Sequence, residues 1–240
     1  MKKCITAAVL AGLGVVSISS AEADTTGNRY GYPVLYQSDV SSAKAWLDVS
    51  SKKGKNRPVI LDVRRIEEYV AGHPPGSISI PFPHVTGSPT KANDNSNGYI
   101  GYDISVDPAV GFLAADGKDG TLPIQEFVAY VESLYPNKDK PLYLLCATGH
   151  RSVQAANALA KYGKYTHVRN IWEGYNGQPK YAYTGNVPTN PLIPLDLNND
   201  DLVDAKDRDG WAYYQELPTE TKLVKRRLYQ PYLSHYSAKK

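Results

Sequence analysis

The chain has 240 residues, a formal net charge of +3, and 42% hydrophobic against 21% charged residues. That length holds one generous domain with appendages or two small ones, and the near balance of charge gives no footing for nucleic-acid binding. Three phenylalanines stand against nineteen tyrosines, which reads as many half-buried or surface aromatics and carries no functional message of its own. The N-terminus reads as an export signal. Lys2 and Lys3 form a basic start, residues 5–16 an apolar stretch too short to span a bilayer, and Ala21-Glu22-Ala23 small residues at the cleavage positions. An uncleaved membrane anchor is the alternative; a lipoprotein is disfavoured because Cys4 precedes the apolar stretch. Loss of residues 1–23 removes Cys4, leaving Cys146 alone with no disulfide partner in the chain. The expected location is periplasmic or secreted, with no membrane association after cleavage. An unpaired thiol there has to be buried or used.

After a tyrosine-rich lead-in (Tyr30, Tyr32, Tyr36), residues 41–47 read as a short helix and the apolar run 58–63 as a strand. Glu67-Glu68-Tyr69-Val70 reads as a helical turn ended by Gly72-His73-Pro74-Pro75-Gly76, and residues 77–81 alternate like a further strand. Residues 84–120 are polar and rich in Gly, Asn and Asp, an insertion expected near the site. Ile124, Phe127, Val128, Val131 and Leu134 keep helical spacing up to Pro136. A buried strand over 141–145 leads into Cys146, a helix over 152–162 follows with Gly163 to end it, and residues 167–172 form a last strand. Strands alternating with helices predict an α/β fold with a mostly parallel central sheet flanked by helices on both faces. In such sheets the ligand site lies at the carboxyl ends of the strands, where Cys146 falls.

The run Cys146-Ala147-Thr148-Gly149-His150-Arg151-Ser152 therefore puts a thiol where unpaired backbone N–H groups and the positive end of a helix dipole converge. That setting favours the thiolate and cradles an anion. Gly149 lets the backbone approach a bound group closely, and Arg151 supplies a cation for an anionic substrate. The bland alternative is an inert buried thiol.

These residues resemble the rhodanese-like domain family. Leu61-Asp62-Val63-Arg64 with Glu67-Glu68-Tyr69, and then Gly72 to Pro81, is similar to the family's upstream signature. Cys146 to Ser152 resembles its active-site loop, and Trp172-Glu173-Gly174 its closing strand and turn. The resemblance covers residues 38–178, departs at the 84–120 insertion, and leaves 179–240 as an irregular Tyr/Pro-rich extension. It implies sulfurtransfer: Cys146 takes sulfane sulfur from a small anionic donor such as thiosulfate, holds it as a persulfide, and passes it to cyanide or a thiol acceptor. Ala147, Thr148, Gly149 and His150 would line the substrate, with Cys146 and Arg151 as the catalytic pair and no cofactor required. Asp62, Arg64 and His73 are expected to brace strand ends and turns. A carrier or binding module without turnover is the second reading. A cysteine phosphatase is third, because such enzymes and arsenate reductases space five residues between cysteine and arginine. Here four intervene and Ser152 takes the arginine position, giving a ring suited to a sulfur atom and tight for tetrahedral phosphate.

Residues 196–207 carry a second signal. Asp196, Asn198, Asp200, Asp204 and Asp207 place oxygen-bearing side chains at positions 1, 3, 5, 9 and 12 of a twelve-residue loop, with Leu202 at the backbone-carbonyl position. This resembles an EF-hand or dockerin-type calcium loop, since Ca²⁺ takes six or seven converging oxygens. Asp201 stands at the turn-glycine position and Asp207 in place of the usual Glu. Calcium would order the tail and take no part in chemistry; a solvated acidic turn is the equal alternative. The final basic stretch (Lys222, Lys225, Arg226, Arg227, Lys239, Lys240), with Tyr229, Tyr232 and Tyr236, could touch an anionic surface, but such a run is more often a solvated helix face or loose terminus.

Overall fold

The computed structural model describes residues 32–86, 121–179, 181–183, 192–197, 201–204, 206–213 and 215–237. The export-signal reading at residues 1–23 and the insertion from residue 87 to 120 lie outside them. Five parallel strands form the central sheet in the order β1-β5-β4-β2-β3. They are β1 (Ser38–Val40), β2 (Val59–Asp62), β3 (Ile78–Ser79), β4 (Leu142–Leu145) and β5 (Val168–Ile171). In register, Leu61 pairs with Leu144, Leu144 with Asn170, and Val40 with Ile171. The helices are α1 (Ser42–Ser51), α2 (Ile66–Ala71), α3 (Ile124–Leu134) and α4 (His150–Lys161).

The period-2 geometry of a strand sorts the sheet residues into two cores. Leu61, Leu142, Leu144 and Val168 join α2, α3 and α4 on one face. Ile60, Tyr143, Leu145 and Ile171 join Ala45 and Val49 of α1 on the other. Each such side chain contributes about 2 kcal/mol on burial, and both faces being covered is why the strands read as unbroken apolar runs. The second face is completed from far along the chain. Trp211 is fully buried there and meets Trp46 of α1 edge-to-face, ring centroids 6.0 Å apart.

Several elements differ from the sequence reading. Strand β1 is polar and three residues long, too short to show alternation. Helix α1 runs on to Ser51 because Asp48 is buried, accepting a hydrogen bond from the Tyr143 hydroxyl at 2.7 Å and pairing with Lys52 at 3.2 Å. Helix α4 begins at His150, two residues before the expected start. The first residues assigned to the insertion belong to the core: His84 and Val85 are buried, and His84 pairs with Thr121 as a single antiparallel bridge.

Among the described residues seven tyrosines are buried, beside others that are half-buried or, like Tyr162 and Tyr213, exposed. Six of the hydroxyls reach a named partner: His150 for Tyr32, Asp39 for Tyr36, the Ser77 carbonyl for Tyr69, Asp48 for Tyr143, the Tyr135 carbonyl for Tyr165 and Ser79 for Tyr236. A phenol can fill core volume at low cost when its O–H finds such a partner.

The extension is irregular, with a short antiparallel pair β6 (Tyr181–Tyr183) and β7 (Leu192–Pro194) and two 3₁₀ stretches, Lys225–Arg227 and Gln230–Tyr236. Lys222, Lys225 and Arg226 are exposed, as a solvated face would be, and Lys239 and Lys240 lie outside the described residues, but the segment between them packs on the domain. Leu228, Tyr229 and Tyr236 are buried, and the Tyr236 hydroxyl donates to Ser79 Oγ at 2.7 Å. Glu220 and His73 exchange both backbone hydrogen bonds, at 3.0 and 2.8 Å. Among the described residues no helix is long and apolar enough to cross a membrane.

Candidate active site

Cys146 lies immediately after β4 at the carboxyl edge of the sheet, and only 1% of it is exposed. The turn from Cys146 into α4 needs a residue at φ +97°, which Gly149 supplies. A Cβ at that position would sit 2.1 Å from the Trp172 carbonyl oxygen, so both conformation and space exclude any side chain. The result is that the Gly149 N–H donates to Cys146 Sγ at 3.1 Å. The Ser152 hydroxyl stands 3.4 Å from the same sulfur and 3.1 Å from the Gly149 carbonyl; its one proton serves one acceptor at a time. The sulfur therefore rests at the N-terminus of a twelve-residue helix, against a backbone donor and a hydroxyl, where negative charge is stabilised.

Arg151 is buried, and its guanidinium forms a two-pronged pair with Glu68 of α2, at 3.0 and 3.1 Å. Glu68 also accepts from the Arg65 N–H at 3.1 Å and Nε at 3.2 Å. Burial alone would raise the Glu68 carboxyl; the charge and hydrogen bonds of Arg151, with Arg64 and Arg65 behind them, bring it down to about 2. The sequence placed Glu68 in the upstream signature without a role. Its position three residues into α2 is the only signal that would have found it.

Two histidines flank this pair. His150 Nε2 lies 3.0 Å from the Tyr32 hydroxyl with ring centroids 5.3 Å apart, and burial, then the charge of Arg151, lowers its pKa. His84 is buried beside the same charges; burial, then repulsion from Arg151 and Arg65, brings its pKa down to about 4. Both rings are neutral near pH 7. Nothing in the polar stretch around His84 pointed to it, because its burial depends on the Thr121 bridge 37 residues away in sequence.

Ala147 and Thr148 are half-buried in the loop between these groups. Asp62, Arg64 and His73 turn toward each other and the nearby turn. Arg64 binds Asp62 at 2.7 Å and the Gly72 carbonyl at 2.7 Å, and stacks 3.8 Å over the Tyr175 ring. His73 Nδ1 lies 2.9 Å from the Tyr69 carbonyl.

Of the calcium-loop residues, Asn198 and Asp200 lie outside the described residues. Asp207 is buried and accepts from the N–H groups of Leu197 and Asp204, each at 2.7 Å. Asp196 accepts from the Asp201 N–H at 2.8 Å, and Asp201 itself takes φ +67°. Asp204 accepts from the Lys206 N–H at 2.6 Å, and Leu202 is exposed. Among the described residues no three His, Cys, Asp or Glu side chains converge as a metal site.

The family model of the rhodanese-like domain matches residues 45–178. No curated protein matches the sequence. Among solved structures, a thiosulfate sulfurtransferase from Pseudomonas aeruginosa is 20% identical with a TM-score of 0.36, covering 58% of this chain and 18% of its own. Rv0390 from M. tuberculosis is 18% identical with a TM-score of 0.43, over 78% and 99% of the two chains. A rhodanese with anions from E. coli is 22% identical with a TM-score of 0.28, over 48% and 85%. The chain thus spans less than a fifth of the Pseudomonas protein's length.

Proposed function

The chain belongs to the rhodanese-like domain family, and from that premise we propose that it is an exported sulfurtransferase working through a Cys146 persulfide. The observation that carries the reading is the Gly149 N–H donating to Cys146 Sγ at 3.1 Å at the start of α4. The thiolate attacks the sulfane sulfur of thiosulfate. A bond forms from Sγ to that sulfur, the bond to the sulfonate sulfur breaks, and sulfite leaves with the electron pair. The persulfide's outer sulfur then carries the negative charge, which backbone N–H groups of the loop stabilise. Cyanide, or a thiolate, attacks the outer sulfur, and Cys146 departs as thiolate. No net oxidation occurs and no cofactor is needed.

The test is intact mass of the protein before and after thiosulfate, beside Cys146→Ser. A one-sulfur gain on the wild type alone, reversed by cyanide, is expected; no gain with thiosulfate or polysulfide, Cys146 being reduced, overturns the reading. The near-complete burial of Cys146 favours one second reading, a sulfur carrier that unloads only to a protein thiol. Rapid thiocyanate production distinguishes the enzyme from that carrier. Export is tested by the N-terminal residue of protein recovered from cells, which is Asp24 if the signal is cleaved.

Calcium at Asp196, Asn198, Asp200, Leu202, Asp204 and Asp207 belongs to the same proposal, as a structural ion of the extension. It is supported by Asp201, which adopts at the sixth position the left-handed conformation that glycine usually supplies there. A calcium-dependent rise in Tm, abolished in Asp196→Ala, is expected; an unchanged Tm at millimolar calcium means a solvated turn.

A further inference from the structure

We infer that the C-terminal extension is part of the catalytic apparatus: residues 209–212 hold the turn that holds the Cys146 loop, and so set the reactivity of the thiol. This rests on the reading of Cys146 as the sulfur-handling nucleophile. The coupling has two layers. In the first, the turn after β5 grips the loop by its carbonyls. Tyr175 N–H donates to the Cys146 carbonyl at 2.8 Å, while the N–H groups of Asn176 and Gly177 donate to the Ala147 carbonyl at 2.7 and 3.1 Å. A trans peptide is planar, with C=O and N–H opposed. Pinning these two carbonyls to the turn therefore points the N–H groups of Ala147 and Thr148 away from it, and fixes the chain that presents the Gly149 N–H to the sulfur.

In the second layer the extension grips the same turn from behind. Trp211 N–H donates to the Gly174 carbonyl at 2.9 Å and Ala212 N–H to the Tyr175 carbonyl at 3.0 Å. Asp209 closes the end: its N–H donates to the Gln178 carbonyl at 3.0 Å, and its Oδ1 accepts from the Gln178 N–H at 2.6 Å. The two backbones touch. A Cβ on Gly177 would lie 1.2 Å from the Asp209 carbonyl oxygen, and one on Gly210 2.5 Å from the Gly177 nitrogen. Trp211, fully buried against α1, anchors the layer in the second core. Tyr175 belongs to both layers, so motion of the extension is passed directly to the loop. All four residues lie beyond the family match, which ends at residue 178.

The test uses full-length Asp209→Ala and Asp209→Asn. Only the second keeps an Oδ1 acceptor for the buried Gln178 N–H. Carbamidomethylation of Cys146 is followed on its own peptide by mass, and each protein's rate at pH 6 is divided by its rate at pH 10. Alkylation requires the thiolate, and a weakened charge-assisted hydrogen bond costs about three- to tenfold in its population at low pH. The ratio is expected to fall by about that factor in Asp209→Ala and to stay at the wild-type value in Asp209→Asn. Tyr236→Phe, which loosens the other end of the extension at Ser79, serves as the control: its Tm falls and its ratio holds. A folded Asp209→Ala with the wild-type ratio overturns the inference, as does an equal change in Tyr236→Phe. If Asp209→Ala does not fold, hydrogen exchange on the wild type decides. Protection of Trp211 and Ala212 matching that of Asn176 and Gly177 supports coupling, whereas free exchange at Trp211 and Ala212 with the turn still protected refutes it. Failure of the sulfurtransferase reading appears separately, as a wild type that gains no sulfur from thiosulfate.

Discussion

Replacing Glu68 with glutamine isolates the ion pair that organises the site. In the native protein the Glu68 carboxyl sits at about 2 instead of 4.5; burial raises it, but Arg151, then Arg64 and Arg65, lower it by more. That displacement corresponds to about 3 kcal/mol of folding stability at neutral pH. The side chains of Arg151 and Glu68 are 8% and 18% exposed, so solvent screens the pair little, and removing one partner strands a buried guanidinium. A lowered carboxyl contributes fully above its unfolded value near 4.5 and loses that contribution as pH falls toward 2. Urea denaturation of wild type and Glu68→Gln should therefore differ by about 3 kcal/mol at pH 7, or about 6–12 °C in Tm, and by about half as much at pH 3. The reasoning is refuted by a gap below about 1 kcal/mol at pH 7, the range of an exposed pair. It is equally refuted by a gap of the same size at pH 7 and pH 3.

Gly149→Ala forces a side chain into φ +97° against the Trp172 carbonyl; a loss of at least about 2 kcal/mol in urea and no sulfur gain from thiosulfate are expected. Trp211→Ala empties the core under α1 and costs about 3–5 kcal/mol by denaturant unfolding, a penalty that an extension merely resting on the surface would not show. The His84 ring, with its pKa lowered by burial to about 4, stays neutral down to pH 5 in a histidine NMR titration. A folded-state pKa below the unfolded 6.5 means that stability present above pH 6.5 declines as pH falls toward 4; a titration midpoint near 6.5 contradicts the burial.

The sheet and the thiol loop were legible because their signals are local. Leu142 to Leu145 is a four-residue apolar run, and Gly149 marks the turn between that strand and α4. What escaped the sequence depends on contacts between distant segments. Glu68 meets Arg151 across 83 residues and Tyr32 meets His150 across 118; neither spacing has a period to read. Asp48 lies just past the residues 41–47 read as a helix, and its buried partner, the Tyr143 hydroxyl, stands 95 residues on. How the extension is anchored was illegible for the same reason. Its basic and aromatic residues show no helical stripe, since they pack through backbone pairing at Glu220 and through single anchors such as Trp211 and Tyr236.

The pairing of Arg151 also bears on which anion the loop can take. A cysteine phosphatase uses its arginine as a fork, two N–H groups on two oxygens of a tetrahedral phosphate. Here both terminal nitrogens of that fork already bind the Glu68 carboxylate, and withdrawing them would cost the several kcal/mol of a broken buried pair. Glu68 is shared with Arg65, whose side chain is 35% exposed, so two positive groups and one negative leave a single net positive charge above the loop. That is enough to draw in a small anion. Around the sulfur itself the donors are the Gly149 N–H and the Ser152 hydroxyl, and the flanking histidines are neutral. A persulfide needs no more than this, because its charge rests on one outer sulfur bonded to Cys146. On the sulfurtransferase proposal the short loop and the occupied arginine point the same way: the loop would stabilise one sulfur, and tetrahedral phosphate would find its natural clamp already closed.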